Sequence, residues 1–427
     1  MRLYSTGTRG LVDLPEPPGP VGMYVCGPTV YDRAHIGNAR PYVLGSWYKR
    51  WLRERGYDVT LVHNITDVND KIYAAAPGAS AERAAEATEW YLEDVARFGL
   101  DAVDHYPRAT ESMEEIVRFI VDLIAGGYAY EIEGDVYFRV GRFEEYGRLS
   151  GQRLDQLEDE EDNLNPLKED SRDFALWKAN KPGEDTAWES PWGRGRPGWH
   201  IECSVMAERL LGPSFEIHGG GLDLVFPHHE NEVAQSRALG HEFARIWMHN
   251  GMLRFTGEKM SKSVGNVATI KEVLDEWGVE TTLLFFLTAQ WRSPIDFSDE
   301  TMEQAKAQWT TFLNAFLVGE QGDSGGPPWE DLQTALDDDF NTPQALAVMH
   351  EWRKAGNHYL LSNALRVFGL VARSETAPPE LVALAEQRQQ ARIRGDYEAA
   401  DDYRDRVDDA GWEIRDEPGG FRLVQKP

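Results

Sequence analysis

Residues 23–40, MYVCGPTVYDRAHIGNAR, decide the fold class of this chain. The apolar run at 21–26 predicts a short buried strand, and Gly27 begins the turn that ends it. A helix is expected to begin near Ile36, and the segment 58–66 predicts a second strand. A strand, a helix and a strand at this short spacing indicate the start of a parallel α/β domain.

In the remainder of the chain, the pattern of predicted helices and strands changes twice. Residues 108–195 combine a helical stripe with an alternating strand pattern that continues to Val140. Strand-like and glycine-rich segments return at 214–221 and 244–253, so the intervening part is interpreted as an insertion in the α/β domain. Beyond about residue 297, apolar residues three and four apart predict helices over 299–317, 329–371 and 379–410.

The composition excludes several classes of protein. Two cysteines in 427 residues cannot form a disulfide framework, which favours a reducing compartment. No segment approaches the roughly 20 apolar residues of a membrane-spanning helix, and the N-terminal residues lack an apolar signal segment. We therefore expect a cytoplasmic protein with no membrane partner.

The charge is strongly acidic, with 72 Asp and Glu residues against 44 Lys and Arg residues and a formal net charge of −28. Such a charge argues against a polyanionic partner at low salt. In molar salt, however, the Debye length falls to about 3 Å and the repulsion is screened. Because the acidic residues are spread along the chain, we interpret the charge as adaptation to salt, which leaves RNA possible as a partner.

The string KMSKS at 259–263 places two ammonium groups beside two hydroxyls. Flexible lysines suit a triphosphate, whose charge must be neutralised as pyrophosphate departs. A solvated basic loop explains most single pairs of lysines at this spacing. A literal match of five residues, however, is expected by chance in only about one chain of this length in ten thousand. The string therefore predicts nucleotide chemistry.

Two shorter strings indicate nucleotide contacts. HIGN (35–38) lies at the predicted start of a helix, where backbone N–H groups favour phosphate and a glycine permits close approach of a flat base. GGGLD (219–223) follows an apolar strand, where glycines admit a ligand and a carboxylate can bind ribose hydroxyls. Taken alone, a helix cap explains the first string and a turn explains the second.

A possible metal site involves residues that are far apart in the sequence. His228 and Glu232 are four residues apart, on one face of a predicted helix. His229 and Glu232, three apart, fit a shared face as well. Adding Cys26 and Cys203 gives two thiolates, an imidazole and a carboxylate, a donor set that suits Zn²⁺. Buried free cysteines are common without a metal, so this prediction depends on the fold bringing all four donors together.

In combination these strings resemble the class I aminoacyl-tRNA synthetases, and within them the cysteinyl-tRNA synthetase family. The resemblance covers essentially the whole chain. It departs from the class pattern at Asn38, where a second histidine is usual, and the helical region looks short around 355–370. The matching strings occur in the family's order: MYVCGPTVYDRAHIGNAR (23–40), NITDVNDKI (64–72), DFALWK (173–178), RPGWHIECS (196–204), GGGLDLVFPHHENEVAQS (219–236), KMSKS (259–263) and DDDFNTPQAL (337–346).

The resemblance implies an α/β fold in which a Rossmann-type parallel-sheet catalytic domain carries an inserted connective domain. An α-helical bundle and a small C-terminal anticodon-binding region are expected to follow. The predicted units are the first half of the catalytic domain at 1–107, the insertion at 108–195, the second half at 196–297, the bundle at 298–373 and the C-terminal region at 374–427.

The resemblance also implies an activity and its site residues. The expected enzyme activates L-cysteine with ATP to cysteinyl-adenylate and transfers it to tRNA(Cys), acting as a monomer with one Zn²⁺ per chain and with Mg²⁺ accompanying ATP. Zinc is expected to select the thiolate of the substrate. The implied roles are catalysis for His35, Lys259 and Lys262; ATP binding for Gly37, Asn38, Gly219, Gly220, Asp223 and Lys262; cysteine binding for Gly27, Thr66 and Trp199; and zinc binding for Cys26, Cys203, His228 and Glu232.

Two alternatives fit parts of the sequence. A ligase that attaches cysteine to an amino sugar would use the same adenylate, but the regions after residue 297 favour tRNA as the acceptor. A non-catalytic, zinc-stabilised RNA-binding protein would not need His35 or the KMSKS string, because binding alone requires no apparatus for phosphate chemistry.

Overall fold

The computed structural model describes residues 1–153, 166–256, 268–316, 325–372, 377–417 and 420–426. The KMSKS string and the acidic stretch at 157–165 therefore lie outside the described residues. The chain begins with an antiparallel hairpin of β1 (Arg2–Ser5) and β2 (Gly10–Asp13). The sequence pattern does not predict this hairpin, because each strand has only four residues and the predicted core begins at Val21.

The first half of the α/β domain contains β3 (Pro20–Val25), α1 (Ile36–Glu54) and β4 (Asp58–His63). The predicted order of strand, helix and strand is confirmed. α1 ends just before Gly56, whose φ of +88° is unfavourable for residues with a side chain. β4 ends three residues earlier than predicted, since Thr66 leaves the sheet and pairs with Thr29 instead.

The middle of the chain contains a second, antiparallel sheet. Its strands lie in the order β5–β6–β7–β8, and the predicted strand ends at Phe138, because Val140 begins a 3₁₀ turn. The prediction that the strand continues to Val140 is therefore wrong. The elements of this part are α2 (Asp70–Ala75), α3 (Ser80–Ala96), α4 (Met113–Ala125), β5 (Ala129–Ile132), β6 (Asp135–Phe138), β7 (Phe174–Ala179) and β8 (Gly195–Pro197).

The second half of the α/β domain completes the parallel sheet. Both predicted strand segments, 214–221 and 244–253, are confirmed as strands, although the second ends at Asn250. The elements are α5 (Trp199–Leu211), β9 (Ser214–Gly221), α6 (Glu230–Ala238), β10 (Phe243–Asn250), β11 (Leu253–Phe255), α7 (Ile270–Trp277), α8 (Val279–Leu287) and β12 (Ile295–Phe297).

The central sheet has the order β10–β9–β3–β4, and all of its strand pairs are parallel. The last three residues of β3 and of β4 are buried without alternation, as expected for a sheet covered on both faces. The predicted α/β class is confirmed. Because the strands are parallel, the segments that follow β3, β4, β9 and β10 meet at one edge, where ligands bind in open α/β folds.

The predicted helical stretch 329–371 contains three helices. Asp339 and Phe340 have positive φ values of 58° and 47°, which end the first helix, and the Asn341 side chain caps the second. Gly356 ends the second helix in the left-handed conformation, and Asn357 caps the third. The helices are α9 (Asp299–Phe316), α10 (Trp329–Asp337), α11 (Thr342–Ala355) and α12 (His358–Val367).

The C-terminal part is a helical hairpin followed by a β-hairpin. Gly395, with φ of +78°, separates the two helices within the predicted segment 379–410. Its elements are α13 (Pro379–Arg394), α14 (Tyr397–Asp409), β13 (Trp412–Glu417) and β14 (Gly420–Gln425). Over the ranges that the structure describes, no helix combines the length and the apolar character needed to cross a membrane.

Candidate active site

A cavity of about 390 Å³ opens at the carboxyl edge of the parallel sheet. Its walls come from the loop between β3 and α1, from the segments that follow β9 and β10, and from the start of α5. We call it the main cavity. The predicted site residues that line it are Cys26, Gly27, His35, Gly37, Asn38, Trp199 and Asp223.

The start of α1 forms one wall of the main cavity. His35 precedes the helix in an extended conformation, and the N–H of Asn38 donates to the His35 carbonyl at 2.9 Å. A Cβ at Gly37 would lie 2.8 Å from the His35 ring, so glycine permits this packing. Desolvation by the cavity walls lowers the pKa of His35, although the Asp223 carboxylate opposes the shift. The lowered pKa favours the uncharged imidazole, which can both donate and accept a hydrogen bond.

The glycine run after β9 is divided between two cavities. Gly221 lines the main cavity together with Asp223. Gly219 and Gly220 line a smaller, mostly apolar cavity instead. A Cβ at Gly220 would approach Leu224 to 2.9 Å, which explains a glycine there by packing alone. Gly221 is therefore the glycine of this string that lines the main cavity, and the ATP-binding roles of Gly219 and Gly220 stay predictions.

Gly27 marks a close approach between the turn after β3 and the end of β4. Its N–H donates to Asn64 Oδ1 at 2.8 Å. A Cβ at Gly27 would lie only 1.8 Å from the Asn64 carbonyl oxygen. Because no side chain fits in that space, glycine is required for the cavity wall to have this shape.

The two other predicted cysteine contacts have different surroundings. Trp199 is 37% exposed, lines the main cavity and lies 4.2 Å from the His228 ring, measured between centroids. Thr66 is buried behind the cavity wall, where its N–H donates to the Pro28 carbonyl at 3.1 Å. Its hydroxyl accepts from Asn64 Nδ2 at 3.3 Å. The structure therefore brings Trp199, and not Thr66, to the surface of the main cavity.

Below the main cavity, the fold brings the four predicted metal donors together. Cys26 follows β3, Cys203 lies on α5, and the other two lie at the start of α6 and in the π-helical turn before it. The donor atoms of Cys26, Cys203, His228 and Glu232 all lie within 4.8 Å of one another, and all four residues are buried. Only Cys26 of the four lines the main cavity.

The donor geometry fits a tetrahedral metal ion. The two sulfur atoms are 3.9 Å apart, and zinc–sulfur bonds of about 2.3 Å at tetrahedral angles require about 3.8 Å. His228 Nε2 lies 3.1 Å from Glu232 Oε1. Two thiolates, an imidazole and a carboxylate are a donor set that zinc prefers. These residues therefore fit zinc.

Burial controls the charge of these donors. Desolvation raises the pKa of Cys26 and of Glu232 well above their usual values and lowers the pKa of His228. A divalent cation favours the thiolate and the carboxylate, and its binding releases their protons. Ionised thiol and carboxyl groups are therefore unfavourable in this buried cluster on their own, and a bound cation would stabilise them.

A second donor set overlaps the first. Cys26, His218, His229 and Glu232 also place their donor atoms within 4.8 Å of one another. His229 Nε2 lies 3.3 Å from Cys26 Sγ, and its Nδ1 lies 2.7 Å from His249 Nε2. His228 and His229, which the sequence leaves as alternative metal ligands, therefore each belong to a donor set that includes Glu232. The first set contains two sulfur donors and the second contains one.

The predicted catalytic lysines, Lys259 and Lys262, lie outside the described residues. The preceding β11 pairs with β12 in parallel, and its residue Leu253 lines the main cavity. β11, which precedes that segment in the sequence, therefore borders the main cavity.

Several residues of the main cavity were not assigned from the sequence. Tyr31, Arg33, Lys71 and Met252 all line it. The first three lie within the strings that carry the resemblance, so position inside those strings was the available signal. Arg40 is buried on α1, and its guanidinium donates to the Gly251 carbonyl, which ties the helix to the segment after β10.

Comparison with known proteins decides the family. The model "tRNA synthetases class I (C) catalytic domain" matches residues 15–307, and the DALR domain model matches residues 332–373. The chain is 42% identical to the cysteine–tRNA ligase of Halalkalibacterium halodurans, over 96% of both chains. It is 43% identical to that of Thermosipho africanus, over 95% of this chain and 94% of the relative. The chain belongs to the cysteine–tRNA ligase family.

Solved structures support the same fold for this family member. It superposes on Mycobacterium tuberculosis methionyl-tRNA synthetase in complex with methionyl-adenylate with a TM-score of 0.59 and 15% identity, over 83% of this chain and 88% of the other. An Agrobacterium radiobacter K84 LeuRS–tRNA complex gives a TM-score of 0.56 at 12% identity, over 83% of both chains. At these identities the likeness establishes the class I synthetase fold alone.

Proposed function

We propose that this protein is an ATP-dependent, AMP-forming ligase that activates L-cysteine as cysteinyl-adenylate and transfers the cysteinyl group to tRNA(Cys). The observation that carries the proposal is the buried cluster of Cys26, Cys203, His228 and Glu232 beneath the main cavity, within 4.8 Å of one another. A donor set for a thiophilic metal beside a cavity lined by His35 and Asp223 fits an enzyme that recognises a thiol and activates it with a nucleotide.

The chain's own residues divide the main cavity between two substrates. Gly27 and Trp199 lie at the cysteine end, next to the metal donors, and Thr66 supports this wall from behind. Zinc, when bound, supplies a site that prefers a thiolate over a hydroxyl, and such a site discriminates by roughly 10⁴ to 10⁵ without editing. The chain's part in this selection is to hold the four donors in a buried, fixed arrangement.

ATP is assigned to the opposite end of the cavity. His35, Gly37 and Asn38 at the start of α1 favour phosphate and a flat base, and Asp223 is available to ribose hydroxyls. Mg²⁺ is expected to arrive with ATP, and Lys259 and Lys262 are assigned to the triphosphate from the sequence alone. No protein nucleophile is needed, because the cysteine carboxylate itself attacks the α-phosphate. Positioning and electrostatic stabilisation therefore supply the acceleration.

No observation favours either alternative. The DALR match at 332–373 and the names of the relatives point to tRNA as the acceptor and not to an amino sugar. A non-catalytic binding protein does not explain a cavity that combines His35, Gly37 and Asp223 above a donor cluster.

We also propose the five-unit division of the chain, with one adjustment. β8 ends at Pro197 and pairs with β7, so the boundary between the insertion and the second half of the catalytic domain is better placed just after Pro197. A monomeric state and a reducing, cytoplasmic location remain proposals, the latter supported by two unpaired cysteines. Size-exclusion chromatography with light scattering tests the monomer.

Cysteine-dependent ATP–pyrophosphate exchange in high potassium chloride, followed by charging of total tRNA, tests the function. Exchange with charging supports the proposal, and exchange without charging would favour the amino-sugar ligase. The absence of exchange in zinc-containing protein would favour a binding protein. Cys203→Ser should lower zinc content and cysteine activation together, and full activity without zinc would refute the metal's role.

A further inference from the structure

We propose that Tyr31 and Lys71 form the binding site for the 3′-terminal nucleotide of the RNA that accepts the cysteinyl group, with its base stacked on Tyr31. This inference rests on the proposed function and assigns a residue pair to its second step. The two residues line the main cavity but belong to none of the ATP, cysteine or metal assignments above.

The order of the sheet separates this pair from the nucleotide end of the cavity. β3 lies between β9 and β4. Asp223 follows β9 and Met252 follows β10, so both lie on one side of the loop after β3. Lys71 lies beyond β4, on the other side, and Tyr31 belongs to the loop itself. Asp223, the ribose contact in the ATP assignment, therefore lies on the β9 side, and the β4 side carries no residue of that assignment.

The rim on the β4 side lies where the core meets the inserted sheet. α2, which carries Lys71, is joined to the insertion by the ion pair between Asp70 and Lys178 at 2.8 Å. The Tyr73 hydroxyl lies 2.8 Å from Thr186 Oγ1. Tyr31 and Lys71 therefore lie on the part of the rim where the core and the insertion are in contact.

The chemistry of the pair suits the end of a single-stranded nucleic acid. Tyr31 is 39% exposed, so part of its ring is accessible at the rim of the main cavity. Lys71 is exposed, and its ammonium lies 5.8 Å from the centre of the Tyr31 ring. Among the described residues, no acidic side chain forms an ion pair with Lys71, in a chain of net charge −28. Aromatic rings bind unstacked bases, and nearby cations bind their phosphates.

A comparison of the two half-reactions tests the assignment. Enzyme loaded with cysteinyl-adenylate is mixed rapidly with tRNA(Cys), and the efficiency of transfer is compared with pyrophosphate exchange by the same preparation. Tyr31→Ala should lower transfer efficiency by about tenfold to a hundredfold, the effect of losing one base–aromatic stack, while exchange changes less than about twofold. Tyr31→Phe retains the ring and should transfer like the wild type.

Further variants control for folding and for charge. Tyr31→Leu fills similar space without an aromatic face and replaces Tyr31→Ala if that variant is unstable. Lys71→Gln should lower transfer efficiency by a few-fold. It should also reduce the slope of log transfer efficiency against log salt concentration by the contribution of about one phosphate contact.

The outcomes separate this assignment from the proposed function. Unchanged transfer in Tyr31→Ala and Tyr31→Leu, with an active wild type, would overturn the assignment of Tyr31 alone. An equal fall of exchange and transfer would also overturn it, because Tyr31 would then act on the adenylate. A wild-type protein without exchange would overturn the proposed function, and this assignment with it.

Discussion

Replacing Gly27 by alanine is expected to disable cysteine activation without unfolding the protein. The new Cβ would lie 1.8 Å from the Asn64 carbonyl oxygen, whereas ordinary contacts begin at 3.4 Å, so the two segments must separate by about 1.6 Å. The separation also stretches the hydrogen bond from the Gly27 N–H to Asn64 Oδ1, now 2.8 Å. A displacement of about 1 Å at a reacting centre costs on the order of 100-fold. We therefore expect exchange to fall by at least about 100-fold.

The assay measures cysteine-dependent pyrophosphate exchange beside thermal unfolding and zinc content. Overpacking typically costs about 1–3 kcal/mol of stability, and an overlap with a backbone carbonyl costs at least the upper end of this range, so exchange is measured in stabilising salt at temperatures where thermal unfolding shows Gly27→Ala to be folded. Gly141→Ala, whose Cβ meets nothing within 4 Å, is a control outside the site. Exchange by Gly27→Ala within threefold of the wild type (roughly 0.7 kcal/mol) would refute this reasoning.

Three further predictions follow from particular residues. His228→Ala should lose bound zinc while His229→Ala retains it, and equal loss measured by metal analysis would contradict the choice of His228. Lys262→Ala should slow exchange by about 100-fold with zinc retained; unchanged exchange would exclude Lys262 from the mechanism. The hydrogen bond from Arg388 lowers the pKa of Asp416 to about 2. Because this value lies below the unfolded value of about 3.9, the pair contributes stability above about pH 4 that is lost as the pH falls towards 2. Asp416→Asn should therefore flatten the acid side of the thermal-stability profile, and an unchanged profile would be evidence against the pair.

The fold was predictable in segments where a long apolar pattern and the residues that end it indicate the same element. β3, α1 and β4 have apolar runs and a terminating Gly56, and the structure has them in the predicted order. The hairpin of β1 and β2 was not predictable, because strands of four residues owe their pairing to distant partners. The backbone N–H of Trp247 in β10, for example, donates to Ser5 Oγ at 3.0 Å. Such contacts across more than 200 residues leave no local pattern.

The site was predictable in its residue types and less so in its geometry. The sequence alone leaves His228 and His229 as alternatives, and the fold keeps both within reach of Glu232, since both lie in one π-helical turn before α6. The string GGGLD could not indicate which of its glycines faces a ligand. That depends on how β9 packs against Leu224, which excludes a side chain at Gly220.

The acidic charge of the chain and an RNA acceptor become compatible when the cations near the main cavity are considered individually. Arg33 pairs with Asp94 at 3.3 Å, and Lys178 pairs with Asp70 at 2.8 Å. These cations are already neutralised within the protein and contribute little counterion release on binding RNA. Salt weakens binding in proportion to the number of phosphates that a protein neutralises. A site that relies on stacking against Tyr31, with Lys71 as the one cation of the cavity lining that forms no ion pair among the described residues, is therefore expected to lose little affinity in molar salt, to which we propose that the acidic composition is an adaptation.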